Sequence, residues 1–137
     1  NMENIVKNRV KCKIEDVLWT VFKDYEPSLY NAKAKNRNFI THNIRATNDY
    51  AETDHLAFLI NVYLQPDFVK ASSYNGWELH RDHYSLNVLI QWIFRSAIRK
   101  HQPINLYIPS ERMRNLLKGW LNGEVITYAK TKEDELE

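Results

Sequence analysis

The stretch Leu56-Ala57-Phe58-Leu59-Ile60-Asn61-Val62-Tyr63-Leu64 is apolar at every position but Asn61. An element with one face in water needs polar residues at a period of 2 or 3.6, and this run shows neither. It must therefore be covered on both sides. A helix segment would also satisfy that condition. The length, however, suits a strand, and Pro66 closes the run, so residues 55–64 read as a buried strand of a parallel sheet. Strands of this kind occur where helices cover both faces of a sheet, which places the chain in the α/β class.

The neighbouring segments are read against that strand. Residues 1–12 are polar and basic without a clear period and read as a mobile lead-in. Ile14, Val17, Leu18, Val21, Phe22 and Tyr25 keep helical spacing, so an amphipathic helix is expected over 14–25, stopped by Pro27. Residues 28–37 form a basic connection, and 38–42 a short strand. Residues 65–82 read as irregular, with Asn75-Gly76 as a turn signal. Ile104 to Ile108 alternates as a strand does, and Pro109 ends it. Ser110 is a natural N-cap for a helix with a Met113, Leu116, Leu117, Trp120, Leu121 stripe, and Asn122-Gly123 stops it. A further short strand is expected at 125–128. The order is helix, strand, strand, helix, strand, helix, which predicts a small, largely parallel sheet of three or four strands flanked by helices. Residues 1–130 form one such domain; 131–137 form an acidic tail expected to be disordered.

Between these elements lies a second periodic run, from about Tyr84 to Lys100, with Asp82 or Ser85 as its cap. Leu86, Leu89, Ile90, Ile93, Phe94, Ala97 and Ile98 recur at helical spacing and predict one buried face. Gln91, Arg95 and Arg99 then fall on the opposite face, one turn apart each. Two guanidiniums on one stripe can reach one anion, and their planar donor forks fit phosphate oxygens. Spacing alone favours the plainer reading, polar residues on a solvated helix face, because surface arginines are common.

Composition narrows the classes. The net charge is +2. The segment 131–137 carries a net −3 from one lysine and four acidic residues, leaving +5 on the rest. That is mildly basic, as nucleic-acid binding allows but does not require. The single cysteine, Cys12, excludes an internal disulfide framework and fits a reducing, cytoplasmic setting. No apolar run reaches membrane-spanning length, and no membrane partner is expected. Asn1 ahead of Met2 reads as a remnant residue or as the edge of a longer chain.

Gln91-x-x-x-Arg95-x-x-x-Arg99 resembles motif VI of superfamily-two helicases, with Phe94 where that motif has glycine. Arg45-Ala46-Thr47-Asn48-Asp49 resembles motif V, and Leu59 to Pro66 resembles the strand that leads into motif VI. The resemblance covers roughly Val17 to Leu121. The phrases at 43–48 and 91–99 also look like helicase-type proteins of phages and mobile elements. The resemblance implies a C-terminal RecA-like lobe of a DEAD/DEAH-type motor. In it Arg95, Arg99 and Gln91 would serve an ATP site completed by an N-terminal RecA-like motor domain. Arg45, Thr47 and Asn48, with the basic loop residues Lys33, Lys35 and Arg37, would grip DNA or RNA. ATP and Mg²⁺ would be bound only in combination with that other domain.

Two rival readings follow from the residues themselves. The chain is compatible with a free-standing nucleic-acid- or protein-binding module without ATPase activity. His80 and His83, three apart, also offer half of a metal site for a small hydrolase, although a polar loop before a helix accounts for them as well. The sequence holds no Gly-x-x-x-x-Gly-Lys-Ser/Thr loop and no acidic Mg²⁺-binding box. The chain alone is therefore expected to show no ATP turnover with Mg²⁺ and nucleic acid. Turnover that survives repurification would contradict the split-site reading.

Overall fold

The computed structural model describes residues 2–22, 39–42, 49–76 and 80–124. Three parallel strands lie in the order β1 (Val17–Thr20), β2 (His55–Phe58), β3 (Asn105–Tyr107). Val17 pairs with His55 and His55 with Asn105, so the three strands start in step. A parallel bridge from Trp19 to Phe39 adds a further contact on the outer side of β1. The helices are α1 (Met2–Ile5), which widens into a π-helical stretch Val6–Val10, then α2 (Pro66–Tyr74), α3 (Arg81–Ile93) and α4 (Glu111–Leu121). The small parallel sheet flanked by helices is the architecture expected from the sequence. Among the described residues no helix is long and apolar enough to cross a membrane.

The sheet separates two cores. Leu18, Leu56 and Phe58 point to one side, where Leu89, Trp92 and Ile93 of α3 and Met113 of α4 meet them. Val17, Trp19, Val21 and Ala57 point to the other, against Val6, with Ile5 and Val10 at its margin. β1 and β2 thus bury both of their faces, which is why alternation is missing from their sequences, whereas β3 is only partly covered.

That double burial corrects the helix expected over 14–25. Within the described part of that stretch, a single 3₁₀ turn, Ile14–Asp16, leads into β1. Every residue from Val17 to Val21 is buried, and one face of a helix could not bury five in a row. Val17, Thr20 and Val21 are also β-branched, which favours the strand. The predicted lead-in is helical instead, because Val6 is needed to close the second core. The stretch 65–82, read as irregular, contains α2. Pro66, which ends the apolar run, is also the first residue of that helix, where its missing N–H costs nothing. The strand expected at 38–42 amounts to the bridge at Phe39. The strand expected at 125–128 and the tail 131–137 lie outside the described residues.

The run from Tyr84 to Lys100 is not one helix. α3 stops at Ile93, and Ala97–Lys100 forms a separate 3₁₀ turn. The cause is competition for hydrogen bonds. The Ser96 hydroxyl donates to Ile93 O at 2.6 Å, occupying the carbonyl that the Ala97 N–H would need. Ala97 N–H turns instead to Thr53 O at 2.9 Å, just ahead of β2. Phe94, expected in the buried face, is 43% exposed as a result. The cap is not Asp82 or Ser85 either: His80 is the N-cap, Asp82 sits in the first turn, and Ser85 lies buried inside the helix. In α4 the predicted cap holds, with Ser110 Oγ accepting from Met113 N–H at 3.3 Å. Only the first half of its stripe is covered, and Trp120 and Leu121 remain exposed.

One polar atom in this core has a cost. Thr20 Oγ1 is buried and has no hydrogen-bond partner among the described residues. Valine has the same shape without the hydroxyl. Thr20→Val is therefore expected to raise stability by about 1 kcal/mol in denaturant unfolding, by removing an unsatisfied buried group. A clear loss of stability would show that the hydroxyl has a partner in solution.

Candidate functional site

Two polar assemblies stand at opposite edges of the sheet. The first lies beyond the carboxyl ends of the strands, the side on which open α/β sheets bind ligands. Its centre is Arg112, in the first turn of α4. Arg112 Nη1 donates to Val62 O at 2.7 Å and to Asn61 Oδ1 at 3.2 Å. Nη2 donates to Asp82 Oδ1 at 2.8 Å and to Ser85 Oγ at 3.0 Å. Ser85 in turn donates to Val62 O at 2.7 Å. One guanidinium thus ties together the chain leaving β2, the start of α3 and the start of α4. Its carbon lies 4.6 Å from the centre of the Tyr63 ring, and Asn61 Nδ2 donates to Tyr63 Oη at 2.9 Å. Farther along the same edge, Phe22 and His42 meet edge to face at 5.8 Å. Burial pushes the His42 imidazole below its usual value and favours its neutral form.

These residues were missed in the sequence. Asn61 was the available signal: one polar residue in an apolar run marks where the strand leaves the sheet. Arg112 carried no signal, because its partners are 27 to 51 residues away.

The second assembly holds the motif VI-like residues. α3 runs back along the sheet from Asp82, beside the carboxyl end, to the amino end, a length of roughly 18 Å. The 3₁₀ turn that follows it is pinned there by the Ala97–Thr53 bond, and Asn105 N–H donates to Asp54 O at 2.7 Å close by. Gln91 is exposed and its amide donates to Asn87 Oδ1 at 3.3 Å. Arg95 lies in the turn after α3 and is buried at 7% exposure. Arg99 is exposed on the 3₁₀ turn, followed by Lys100, which pairs with Glu52. The expected geometry, with all three side chains on one exposed helical stripe, is therefore corrected: the helix ends before Arg95, and Arg95 is covered. The two arginines do remain neighbours. Burial first, and the charge of Arg99 second, hold the Arg95 guanidinium below its ordinary value.

Lys33, Lys35, Arg37, Arg45, Thr47 and Asn48 lie outside the described residues. His80 and His83 place their rings 5.7 Å apart, and among the described residues no three His, Cys, Asp or Glu side chains gather as a metal site would require. The Cys12 thiol is pushed up by burial and by Asp16 and Asp54, which disfavours the thiolate. Between α3, β3 and α4 runs an apolar groove of about 450 Å³, lined by Ile90, Phe94, Ile98, Leu106, Leu117 and Trp120 among others.

Comparison with known proteins places the chain. The family model described as the YonV C-terminal Rossmann-like domain matches residues 1–121. The SPbeta prophage-derived uncharacterized protein YonV of Bacillus subtilis (strain 168) is 39% identical over 124 residues. That alignment covers 90% of this chain and 30% of the relative, so the chain spans about a third of the relative's length. No solved structure matches.

The Arg112 assembly gives a direct test. Arg112→Ala leaves Val62 O, Asn61, Asp82 and Ser85 without their common donor, and a loss of about 2–3 kcal/mol is expected in urea unfolding. Arg112→Lys should recover little of it, because an ammonium cannot span four acceptors as a planar fork does. Full rescue by lysine would reduce the cluster to a simple charge contact.

Proposed function

The chain belongs to the YonV C-terminal Rossmann-like domain family, and we propose that it acts as the C-terminal lobe of a nucleic-acid-dependent ATPase of the superfamily-two helicase type. The observation that carries this reading is the end of α3. The motif VI resemblance puts glycine at the position of Phe94, and Phe94 is the C-cap at which α3 ends. The chain turns there, so Arg95 follows directly and Arg99 sits on the next turn, close enough to press on Arg95 electrostatically. Arginines so placed suit the charge that builds up in phosphoryl transfer.

The chain's own sequence holds no phosphate loop, so ATP and Mg²⁺ would be held by an N-terminal motor domain, with Arg99 as the exposed contact and Arg95 behind it. Gln91 would support the same surface. Lys33, Lys35, Arg37, Arg45, Thr47 and Asn48 would contribute the grip on DNA or RNA. A relative more than three times as long as the matched segment leaves room for such a domain.

The burial of Arg95 favours a second reading, a nucleic-acid- or protein-binding module without ATPase activity. A covered guanidinium is a poorer contact for a phosphate delivered by another domain.

The two readings separate in a longer protein that carries this domain together with its N-terminal portion. Arg99→Ala is expected to cut nucleic-acid-stimulated ATP turnover about a hundredfold or more. The melting temperature should hardly move, because exposed arginines contribute little to stability. Arg95→Ala is expected to lower stability as well, so Arg95→Lys is the cleaner probe of that position. Turnover unchanged by Arg99→Ala would reject the arginine-finger role and leave the binding module.

A further inference from the structure

Tyr63 is a large aromatic side chain 61% exposed, yet it is firmly held. One ring face rests on the Arg112 guanidinium at 4.6 Å, and the hydroxyl accepts from Asn61. Arg112 is itself fixed by Asn61, Val62 O, Asp82 and Ser85. A tyrosine exposed by chance would be free to move. Here the side chains around it fix its plane and leave the other face to solvent, at the carboxyl edge of the central strand. An aromatic ring already fixed in place loses little entropy when a flat partner lands on it.

We propose that Tyr63 is a stacking platform for an unpaired nucleobase of single-stranded nucleic acid. The proposal rests on the nucleic-acid-binding part of the function above and adds a residue and a mode of contact to it. Nucleobases stack on aromatic faces whatever their sequence, and a cation beneath the ring adds to the stack. The platform is open, with Tyr63 61% exposed. A free mononucleotide would need enclosing walls, whereas a strand can lay one base on the ring and continue past it. Arg81 is exposed on the first turn of α3, next to the Asp82 that anchors Arg112, and it supplies a cation for the adjoining phosphate.

The test uses the whole chain and two oligonucleotides of equal length and charge. One is oligo-dT, and the other carries abasic sugars at its central positions. Wild-type protein should prefer the first by roughly fivefold to a hundredfold, the range expected for one stacked base. Tyr63→Ala should abolish that preference while retaining the salt-dependent affinity common to both strands. Tyr63→Phe should keep most of the preference, and Tyr63→Trp should preserve or enlarge it. A merely structural role would weaken both strands alike.

Equal preference in wild type and Tyr63→Ala would overturn the proposal, as would no binding of either strand by wild type. Competition by a mononucleotide as effective as by the oligonucleotide would replace the strand with a free nucleotide. Loss of association with the N-terminal portion, with the base preference intact, would assign the ring to a protein contact. The outcome is independent of the arginine-finger experiment, because Arg99→Ala removes no part of the platform.

Discussion

The fold depends on covering β2 from both sides. Leu56, Ala57 and Phe58 are completely buried although they point alternately to opposite faces. Each large side chain buried there stabilises the fold by about 1.5–3 kcal/mol, but only if both faces are closed. On one side α3 and α4 provide Leu89, Trp92, Ile93 and Met113. On the other, within the described residues, the cover includes Val6 from the π-helical stretch, with Ile5 and Val10 alongside. A short basic N-terminal segment is therefore part of the core, and the left-handed Lys11 at its end lets the chain turn from this cover into the sheet.

The same parallel geometry determines where chemistry can collect. Every strand delivers its carboxyl end to one edge, and α2, α3 and α4 all begin on that side. Their first-turn amides point there as well. Arg112 exploits this convergence. Its fork spans three chain segments that no backbone ladder joins, and its underside is capped by Tyr63. A single side chain thus acts as structural clasp and as backing for an exposed ring.

What could be read from the sequence followed what is local or periodic. The apolar run at 56–64 revealed a doubly covered strand, although the strand expected over 55–64 ends at Phe58 and Tyr63 beyond it is exposed. Ser110 and Asn122-Gly123 bracketed α4, since caps and stops act over three or four residues. β1 was hidden because Val17, Leu18, Val21 and Phe22 satisfy helical spacing as readily as a short strand buried on both faces, and four residues are too few for periodicity to decide. α2 was hidden because Phe68, Val69 and Ser72 give it only a thin stripe on a largely exposed helix. The Arg112 cluster joins residues far apart in the chain, and no pattern in one sequence records such a meeting. The basic residues at 33–37 and the motif V-like Arg45, Thr47 and Asn48 lie outside the described residues, so their reading stays with the sequence.

The break after α3 is the instructive case, because spacing alone predicts a continuous helix. Nothing between Ile93 and Lys100 is a strong helix breaker. Ser96 is a weak competitor, and one serine hydroxyl bonding to a carbonyl seldom stops a helix on its own. It succeeds here because Thr53 O offers the Ala97 N–H another acceptor at the amino edge of the sheet. A tertiary bond and a local side-chain bond together outweigh one helical turn. The consequence is functional in the reading proposed here. Had the helix continued, Gln91, Arg95 and Arg99 would share one solvated stripe at fixed spacing. With the break, Gln91 remains on the helix, Arg95 turns inward, and Arg99 projects from a separate short turn anchored to the strand beside it. The position of Arg99 is then set by the sheet through Thr53 rather than by the helix alone. A guanidinium held this way keeps its place even if the end of α3 frays, which a contact made to a partner domain requires.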